Sequence, residues 1–189
     1  MPILSAQGLG KRFGRRWVVR GIDLSLEPGD RWAIVGPNGS GKSTLLKMLA
    51  GLVAPSAGAV TRPKLLGYMA LDLALYPGLS AKEHLEWAGA SRGCDPRAQD
   101  LIEWAGLQEP GDRPVGAYSS GMKARLKLAL AIQHSPEVLL LDEPTAPLDE
   151  PGRELVRTLV QGFQGAVVIA TNDLTECSWA TDQIRVGAQ

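Results

Sequence analysis

One short stretch of the sequence has the residue types and the spacing needed to hold phosphate groups. Residues 36–43 read Gly-Pro-Asn-Gly-Ser-Gly-Lys-Ser, which fits the pattern G-x-x-x-x-G-K-[ST]. Glycines allow several backbone N–H groups to converge on phosphate oxygens at the positive end of a following helix. Lys42 can reach the β- and γ-phosphates of a nucleoside triphosphate, and the Ser43 hydroxyl can ligate Mg²⁺. The predicted phosphate loop comprises Gly36, Pro37, Asn38, Gly39, Ser40, Gly41, Lys42, Ser43 and Thr44.

Two carboxylates follow an apolar run later in the chain. Residues 138–141 are all apolar, and Asp142 and Glu143 come directly after them. The tip of a strand beside a phosphate loop is where Mg²⁺ would lie. We therefore predict that Asp142 holds the waters of the metal and that Glu143 polarises the attacking water as a general base. A strand that ends in a solvated acidic turn is the alternative, and the phosphate loop upstream disfavours it.

The elements that must position these residues show strand-like and helix-like patterns. Ile22–Leu26 alternates apolar and polar residues, as a half-buried antiparallel strand would. Trp32–Val35 is a short apolar run, which is typical of a strand buried on both faces. Thr44–Ala50 carries apolar residues at helical spacing and is followed by Gly51, a residue favoured just after a helix. The phosphate loop is therefore predicted to join a buried strand to a helix.

A helical region is predicted over about residues 72–135. Ser80–Gly89 and Pro96–Gly106 each show an apolar face, and glycine and proline separate them. A third helix should begin near Ser119 or Ser120, because either serine is a good N-cap. We expect this region to be an insertion in a larger domain.

The remaining segments complete an α/β pattern. Val138–Leu141 and Ala166–Ala170 resemble buried strands, and Arg153–Gln161 is predicted to be the helix between them, with Asp149 near its start. The order strand, phosphate loop, helix, helical insertion, strand, helix and strand predicts a parallel core sheet. A length of 189 residues fits one such domain.

Composition narrows the classes of partner. Twenty basic and twenty acidic residues cancel, so no global field favours nucleic acid or an anionic membrane. A nucleic-acid patch around Lys11 and Arg12 is the alternative, and the rest of the chain lacks the basic excess that such proteins show. The longest apolar runs span four or five residues, far fewer than the roughly 20 needed to cross a bilayer. We expect no nucleic-acid partner, and any membrane role requires a partner protein.

Together, the phosphate loop and the Asp142–Glu143 pair resemble the motifs of ABC ATPases. The signature pentapeptide of that family, usually Leu-Ser-Gly-Gly-Gln, is similar to Tyr-Ser-Ser-Gly-Met at residues 118–122. Only Ser119 and Gly121 match the usual residues. The resemblance implies that these two residues bind the γ-phosphate of an ATP molecule held by the opposite subunit, since a helix start suits an anion.

The resemblance extends over most of the chain, from Phe13 to Asp173. Phe13 resembles the aromatic residue on which adenine stacks in this family, and Val18 resembles its usual neighbouring contact. A core position for the Phe13 ring is the alternative. Residues 146–149 resemble the loop that crosses to the partner subunit, although Pro147 is unusual there and should stiffen the loop.

Two positions depart from the family pattern. Asn172 occupies the place of the switch histidine, and Leu71 occupies the place of a glutamine that reaches Mg²⁺ and the attacking water. If the register is shifted by one residue, Asp72 would lie next to the metal instead. Asn172 can donate a hydrogen bond but cannot carry charge near neutral pH. Because the predicted base, metal ligand and phosphate-binding lysine are all retained, we expect a working but retuned ATPase.

The resemblance implies a single nucleotide-binding domain over residues 1–189 with ATP and Mg²⁺ as ligands. Its fold would be a P-loop (RecA-like) α/β core with an N-terminal antiparallel β-subdomain and the helical subdomain. Two copies, in a homodimer or with a related ATPase subunit, would sandwich two ATP molecules head to tail. The surface near Leu71–Leu85 would dock an integral membrane permease subunit. The chain would then be cytoplasmic and peripheral on the inner face of the cell membrane.

Among transporters, the short length and the altered signature resemble exporter-type subunits, including those of haem, polysaccharide and ABC-2-like exporters. A soluble ABC-type ATPase not coupled to transport is one alternative. A nucleotide-binding subunit with little or no hydrolysis is another, because the switch histidine and the family glutamine are replaced.

Overall fold

The computed structural model of the protein describes residues 1–109 and 112–187. Residues 110 and 111, which belong to the predicted helical region, and residues 188 and 189 lie outside the described residues. The elements in chain order are β1 (Leu4–Phe13), β2 (Arg16–Leu26), β3 (Arg31–Val35), α1 (Lys42–Leu49), β4 (Ala57–Thr61), β5 (Leu66–Ala70), α2 (Ala81–Arg92), α3 (Ala98–Trp104), α4 (Ser120–Ile132), β6 (Val138–Asp142), α5 (Glu150–Gly162), β7 (Ala166–Thr171), α6 (Leu174–Cys177) and β8 (Asp182–Arg185).

An antiparallel sheet forms the N-terminal part of the fold. Its strand order is β2-β1-β4, and β1 pairs with both neighbours in antiparallel fashion. In the second half of β2, Leu24 and Leu26 are buried while Asp23 and Ser25 are exposed. The predicted half-buried antiparallel strand at Ile22–Leu26 is therefore confirmed, as part of a longer strand.

The second sheet is parallel and has the order β5-β6-β7-β3-β8. Every residue of β6 and of β7 is buried, because helices cover both faces of these central strands. Leu45 and Leu49 of α1 pack on one face, and Val156 of α5 packs on the other. The predicted α/β fold with a parallel core sheet is confirmed.

The register of the parallel sheet brings four chain segments to one edge. Ala70, Asp142 and Ala170 are paired neighbours at the ends of β5, β6 and β7, and Val35 at the end of β3 pairs with Thr171. The segments that follow these strand ends begin at the phosphate loop, Glu143, Asn172 and Leu71. In a parallel sheet this carboxyl edge is where ligands bind.

Three helices follow β5, as the sequence predicts. Helix α2 begins after Ser80, whose side chain and Glu83 form a capping box, and α4 begins after Ser119, whose hydroxyl accepts from the Met122 N–H. Leu85, Leu101 and Leu126 are buried in the cluster that these helices share. The boundaries of a separate helical subdomain at about 72–135 stay a prediction. Among residues 1–109 and 112–187, no helix is both long enough and apolar enough to cross a membrane.

Candidate functional site

The phosphate loop turns tightly between β3 and α1. Gly39 and Gly41 adopt left-handed φ angles of 77° and 102°, which glycine tolerates and other residues avoid. At Gly36, a Cβ atom would lie 2.4 Å from the Val186 carbonyl oxygen, so no larger residue fits. Gly41 is also the N-cap of α1 and brings no side chain to cap it. The N–H groups of the first turn therefore remain available for an anion.

Lys42 is the first residue of α1 and is only 5% exposed. Its Nζ atom donates to the Gly36 carbonyl at 2.9 Å and to the Pro37 carbonyl at 3.4 Å. The same Nζ atom lies 3.8 Å from Glu143 Oε1. The ammonium group is thus held inside the phosphate loop and faces Glu143 at the end of β6.

Asp142 ends β6 and is 7% exposed. Burial raises the pKa of its carboxyl above the usual range; a hydrogen bond with Ser43 acts against this, while nearby Glu143 and Asp72 add to it. The Oδ1 atom is buried and has no hydrogen-bond partner within the described residues. A divalent cation bound to Oδ1 would satisfy this atom and stabilise the ionised form.

The side chains present fit Mg²⁺. Asp142 and Ser43 offer oxygen ligands, and Mg²⁺ typically takes one or two protein ligands plus waters and phosphate oxygens. In the described part of the chain, no cluster of three His, Cys, Asp or Glu side chains could hold a metal by itself.

Glu143 has an unusual backbone. Its φ angle is 48°, in the left-handed region that residues other than glycine seldom adopt, and its N–H donates to the Ala170 carbonyl at 2.9 Å. Such strain persists only where the surroundings enforce it, and it concentrates at functional sites. The side chain is 40% exposed and faces Lys42. The carboxylate can therefore contact both solvent and the phosphate loop.

Asn172 directly follows β7 and contacts the phosphate loop. Its Nδ2 atom donates to Oδ1 of Asn38 at 2.9 Å, although the two residues are 134 positions apart. The next residue, Asp173, forms an ion pair with Arg153 at 3.3 Å. The structure thus brings Asn172 to the same strand-end edge as Lys42 and Glu143, as the sequence predicts for the switch position.

Leu71 directly follows Ala70, the β5 residue paired with Asp142. Its side chain is exposed, and its carbonyl accepts from Lys127 Nζ. Asp72 forms an ion pair with Lys47 at 2.7 Å. Both residues therefore lie at the carboxyl edge, and the Asp72 carboxylate already has a partner in α1.

Ser119 and Gly121 lie at the start of α4, next to the loop that follows Glu143. A Cβ atom on Gly121 would lie 3.2 Å from the Pro147 carbonyl oxygen, an approach that glycine makes easy. The Ser119 hydroxyl accepts from Met122 in its own helix. Within the described residues, no hydrogen bond joins either residue to residues 36–44.

Phe13 and Val18 lie on the β1–β2 hairpin beside the phosphate loop. A Cβ atom on Gly41 would lie 2.9 Å from Val18 Cγ1, so the hairpin packs directly on the loop. The Phe13 ring is 55% exposed, and Lys11 Nζ lies 5.3 Å from its centroid. The ring is thus outside the core and has area available for a base.

Two features of this region were not predicted from the sequence. A cavity of about 470 Å³ lies between the hairpin and the phosphate loop, and Trp17 lines it together with Asn38 and Ser40. Glu176 in α6 is buried and accepts hydrogen bonds from Thr145. A lone tryptophan in a basic hairpin and a glutamate in a four-residue helix give no periodic signal that could have singled them out.

The sequence matches the family described as ABC transporter over residues 19–146. It is 34% identical over 196 residues to the uncharacterized ABC transporter ATP-binding protein YxlF of Bacillus subtilis (strain 168), covering 96% of this chain and 66% of YxlF. The chain therefore spans about two thirds of the length of that relative.

A second relative is matched over more of its length. The chain is 32% identical over 195 residues to the lantibiotic transport ATP-binding protein SrtF of Streptococcus pyogenes, covering 96% of this chain and 85% of SrtF. The fold matches the dimeric structure of a bacterial ABC transporter cassette with a TM-score of 0.83 at 24% identity, covering 97% of this chain and 94% of that chain. At that identity the structural match establishes the fold alone.

Proposed function

Because this chain belongs to the ABC transporter family, we propose that it binds and hydrolyses ATP as the motor subunit of a membrane transporter. The observation that carries the proposal is the convergence of the phosphate loop, Asp142, Glu143 and Asn172 at one edge of the parallel sheet. The side chains proposed as phosphate-binding cation, metal ligand and base therefore lie at the same edge of the sheet, which supports the proposal.

Each residue has a distinct part in the proposed reaction. The glycine-rich loop and Lys42 hold the β- and γ-phosphates, and Lys42 Nζ exchanges the Gly36 and Pro37 carbonyls for phosphate oxygens. Ser43 and Asp142 would hold Mg²⁺, which would neutralise charge on the phosphate oxygens. Glu143 accepts a hydrogen bond from the attacking water and draws its proton away as the bond to the γ-phosphorus forms, while the bond from that phosphorus to the β–γ bridging oxygen breaks and ADP leaves.

The proposed adenine site and the switch position at Asn172 complete this scheme. Phe13 offers an exposed ring face for adenine, and Val18 holds the hairpin against the phosphate loop. Asn172 supplies one neutral hydrogen bond near the γ-phosphate, where a histidine could supply a charged one.

Dimerisation is proposed because Gly121 lies against Pro147 and because, within the described residues, no hydrogen bond joins Ser119 or Gly121 to the phosphate loop of the same copy. In a head-to-tail pair, the start of α4 from one copy faces the nucleotide of the other. The pair consists of two identical chains or of this chain and a related ATPase subunit. ATP would then be sandwiched between the two subunits.

Coupling to a membrane partner is proposed at the docking surface, defined as Leu71, Leu73, Tyr76 and Trp87. All four side chains are exposed, and the rings of Tyr76 and Trp87 meet edge to face with centroids 5.5 Å apart. Exposed apolar groups of this kind mark contact sites. A permease subunit seated here would hold the chain at the inner, cytoplasmic face of the cell membrane. The name of SrtF, a lantibiotic transport ATP-binding protein, supports a role in transport.

A second candidate is a subunit that binds ATP with little or no hydrolysis. The observation in its favour is the hydrogen bond between Asn172 and Asn38, which engages the switch residue with the phosphate loop, together with Leu71 at the glutamine position. Phosphate release separates the two candidates, because only the first predicts turnover above that of a variant without the base.

The test is steady-state phosphate release and titration with a fluorescent ATP analogue, for the wild type, Glu143→Gln and Lys42→Ala. Wild-type turnover should exceed that of Glu143→Gln, which keeps the shape of the site but removes the base. Lys42→Ala should bind MgATP at least about tenfold more weakly, or about 1.4 kcal/mol. Lys82→Ala, a change at an exposed lysine in α2, is the matched control. Equal binding by Lys42→Ala and the wild type would refute this assignment of the phosphate loop.

A further inference from the structure

A buried carboxylate joins the segment after β7 to the loop after Glu143. Glu176 is only 2% exposed, and its Oε1 atom accepts from the Thr145 N–H at 3.1 Å and from the Thr145 hydroxyl. Its Oε2 atom is buried without a hydrogen-bond partner within the described residues. Burying a carboxylate with half of its acceptors unused disfavours folding. Fold stability alone therefore gives a weak reason for a glutamate here.

The partner of Glu176 lies within the turn that carries Glu143 out of β6. Thr145 is two residues after Glu143, its carbonyl accepts from the Leu148 N–H at 2.9 Å, and the Glu143 carbonyl accepts from the Ala146 N–H at 3.3 Å. These bonds make a compact turn, and Glu176 fixes that turn to α6. The direction in which the chain leaves Glu143 is thus set from outside the turn.

Glu143 needs such external support. Its left-handed φ angle of 48° is unfavourable for a residue with a Cβ atom, so the turn must be held by its neighbours. The Glu143 N–H bond to Ala170 fixes the backbone on the strand side, and the Glu176–Thr145 contact fixes it on the loop side. Between them, these contacts leave the Glu143 side chain directed towards Lys42.

We propose that Glu176 is a positioning residue for the general base: by holding Thr145, it maintains the backbone conformation that directs Glu143 towards the nucleotide. The proposal rests on the proposed function, because it requires Glu143 to act in ATP hydrolysis. Glu176 does not itself contact the reacting atoms. Its short helix follows Asn172, which bonds to the phosphate loop, so one segment contacts both the loop that binds phosphate and the turn that carries the base.

The kinetic test compares Glu176→Ala with Glu176→Gln, whose amide oxygen can still accept from Thr145. Glu154→Ala, a change at an exposed glutamate of α5, is the matched control. Glu176→Ala should lower kcat about tenfold or more while KM and the affinity for an ATP analogue change less than about twofold, because a small displacement of a catalytic group reduces the rate without altering binding. Glu176→Gln should restore most of the turnover.

Two further variants separate positioning from general destabilisation. In a Glu143→Gln background, Glu176→Ala should cause no additional loss of residual turnover, since there is no base left to position. Thr145→Val removes only the hydroxyl donor, so it tests the same contact if Glu176→Ala does not fold. It should lower kcat about threefold with KM unchanged. The proposal would be overturned if Glu176→Ala lowered kcat equally in the wild-type and Glu143→Gln backgrounds. It would also be overturned if Glu176→Gln lowered kcat as much as Glu176→Ala does.

Hydrogen exchange at the Thr145 amide gives a readout that does not depend on hydrolysis. Exchange should be faster in Glu176→Ala than in the wild type and unchanged in Glu176→Gln, because the amide loses its buried acceptor only in the first variant. If wild-type turnover equals that of Glu143→Gln, the proposed function fails and this proposal fails with it. Suppose instead that wild-type turnover clearly exceeds that of Glu143→Gln. Only this proposal is then overturned if Glu176→Ala has wild-type turnover, or if the Thr145 amide in Glu176→Ala exchanges at the wild-type rate.

Discussion

Asp142 and Glu143 are adjacent residues with different chemical surroundings. Asp142 is buried, and burial raises the pKa of its carboxyl, whereas Glu143 is partly exposed and lies near Lys42. A buried carboxylate with an unused oxygen is suited to a cation, and an exposed one near the phosphate loop is suited to water. From the order of the two residues at a strand end, the sequence predicts that Asp142 is the metal ligand and Glu143 the general base. Their surroundings in the structure are compatible with this assignment.

The first prediction concerns the stability cost of Asp142. The pKa of the Asp142 carboxyl is higher in the folded protein than in the unfolded chain. As pH rises above the ordinary aspartate pKa, about 3.9, the carboxyl therefore loses its proton in the unfolded chain before it does so in the folded protein. The free energy of unfolding should therefore fall from that pH up to the higher native pKa and stay lowered above it. Asp142→Asn should raise the Tm of the nucleotide-free protein at neutral pH, and the gain should vanish below about pH 3.9.

The measurement is thermal unfolding of both proteins across this pH range, with and without MgATP. The wild type should gain more stability from MgATP than Asp142→Asn, since the cation stabilises the carboxylate. A variant that is less stable at neutral pH without ligand would contradict the prediction.

The second prediction concerns Asn172. Its amide bonds to Asn38, and a neutral amide near the γ-phosphate supplies one ordinary hydrogen bond, about 1 kcal/mol weaker than a charge-assisted one. Asn172→His should therefore raise kcat by up to about tenfold and leave KM nearly unchanged. The measurement is phosphate release, with Glu143→Gln as the blank and Asn172→Ala as the control. A fall in kcat would mean that Asn172 is an adapted catalytic group and not a weakened switch.

At the scale of elements, the sequence predicts those segments that have strong apolar patterns. The phosphate-loop helix, the buried strands β6 and β7 and the helices α2, α4 and α5 were all predicted, because burial requires runs or faces of apolar residues. Strands β1, β4, β5 and β8 were not predicted. The edge strands β4 and β8 are largely exposed and show little alternation, and glycines interrupt the apolar pattern of β1 and β5. Backbone pairing with a neighbour forms such strands, and a local pattern does not record it.

In the candidate site, too, local features are predicted from the sequence and contacts between distant segments are not. Motif spacing predicts which residues lie at the carboxyl edge of the sheet, because the phosphate loop and the strand ends are local features of the sequence. The contacts between Asn172 and Asn38, and between Glu176 and Thr145, join residues that are 134 and 31 positions apart. These pairs meet only because the sheet order β6-β7-β3 places their segments side by side. The spacing of residues along the chain does not predict that strand order.

The third prediction concerns the start of α4, where one serine is expected to have two roles. Ser119→Ala removes the N-cap bond to Met122 and should lower the free energy of unfolding by about 1 kcal/mol. Ser119→Asp keeps a capping oxygen and should retain stability, but its negative charge should oppose the γ-phosphate of the partner subunit and weaken ATP-dependent dimerisation. Chemical denaturation and light scattering check the two effects, with Ser120→Ala as the control. Normal dimerisation of Ser119→Asp would exclude a role for Ser119 in contacting phosphate.

At the scale of the whole molecule, the proposed dimer would use two separate surfaces of each copy. One surface would carry the phosphate loop and the strand ends, and the other would carry the start of α4 beside Pro147. With basic and acidic residues balanced, no net charge opposes the approach of a second copy. Association would therefore depend on the nucleotide that bridges these surfaces.

The fourth prediction follows from this separation. Glu143→Gln should bind ATP without hydrolysing it, so the bridged dimer should accumulate. Light scattering with ATP should give about twice the mass found without nucleotide, as expected for a closed pair. Lys42→Ala combined with Glu143→Gln is the control and should remain monomeric because it binds ATP poorly. A Glu143→Gln protein that stays monomeric at saturating ATP and high protein concentration would contradict the head-to-tail arrangement.

The left-handed backbone at Glu143 also has a consequence for how this sequence can change in evolution. Glycine adopts that conformation freely, so Glu143→Gly should relieve strain of about 1 kcal/mol or more while it deletes the proposed base. In a gene duplicate no longer selected for turnover, that substitution would be an adaptive step towards a more durable protein. Loss of hydrolysis would then spread through positive selection for stability and would not require the accumulation of damage. A library selected only for resistance to heat should enrich Glu143→Gly over every other change at that codon.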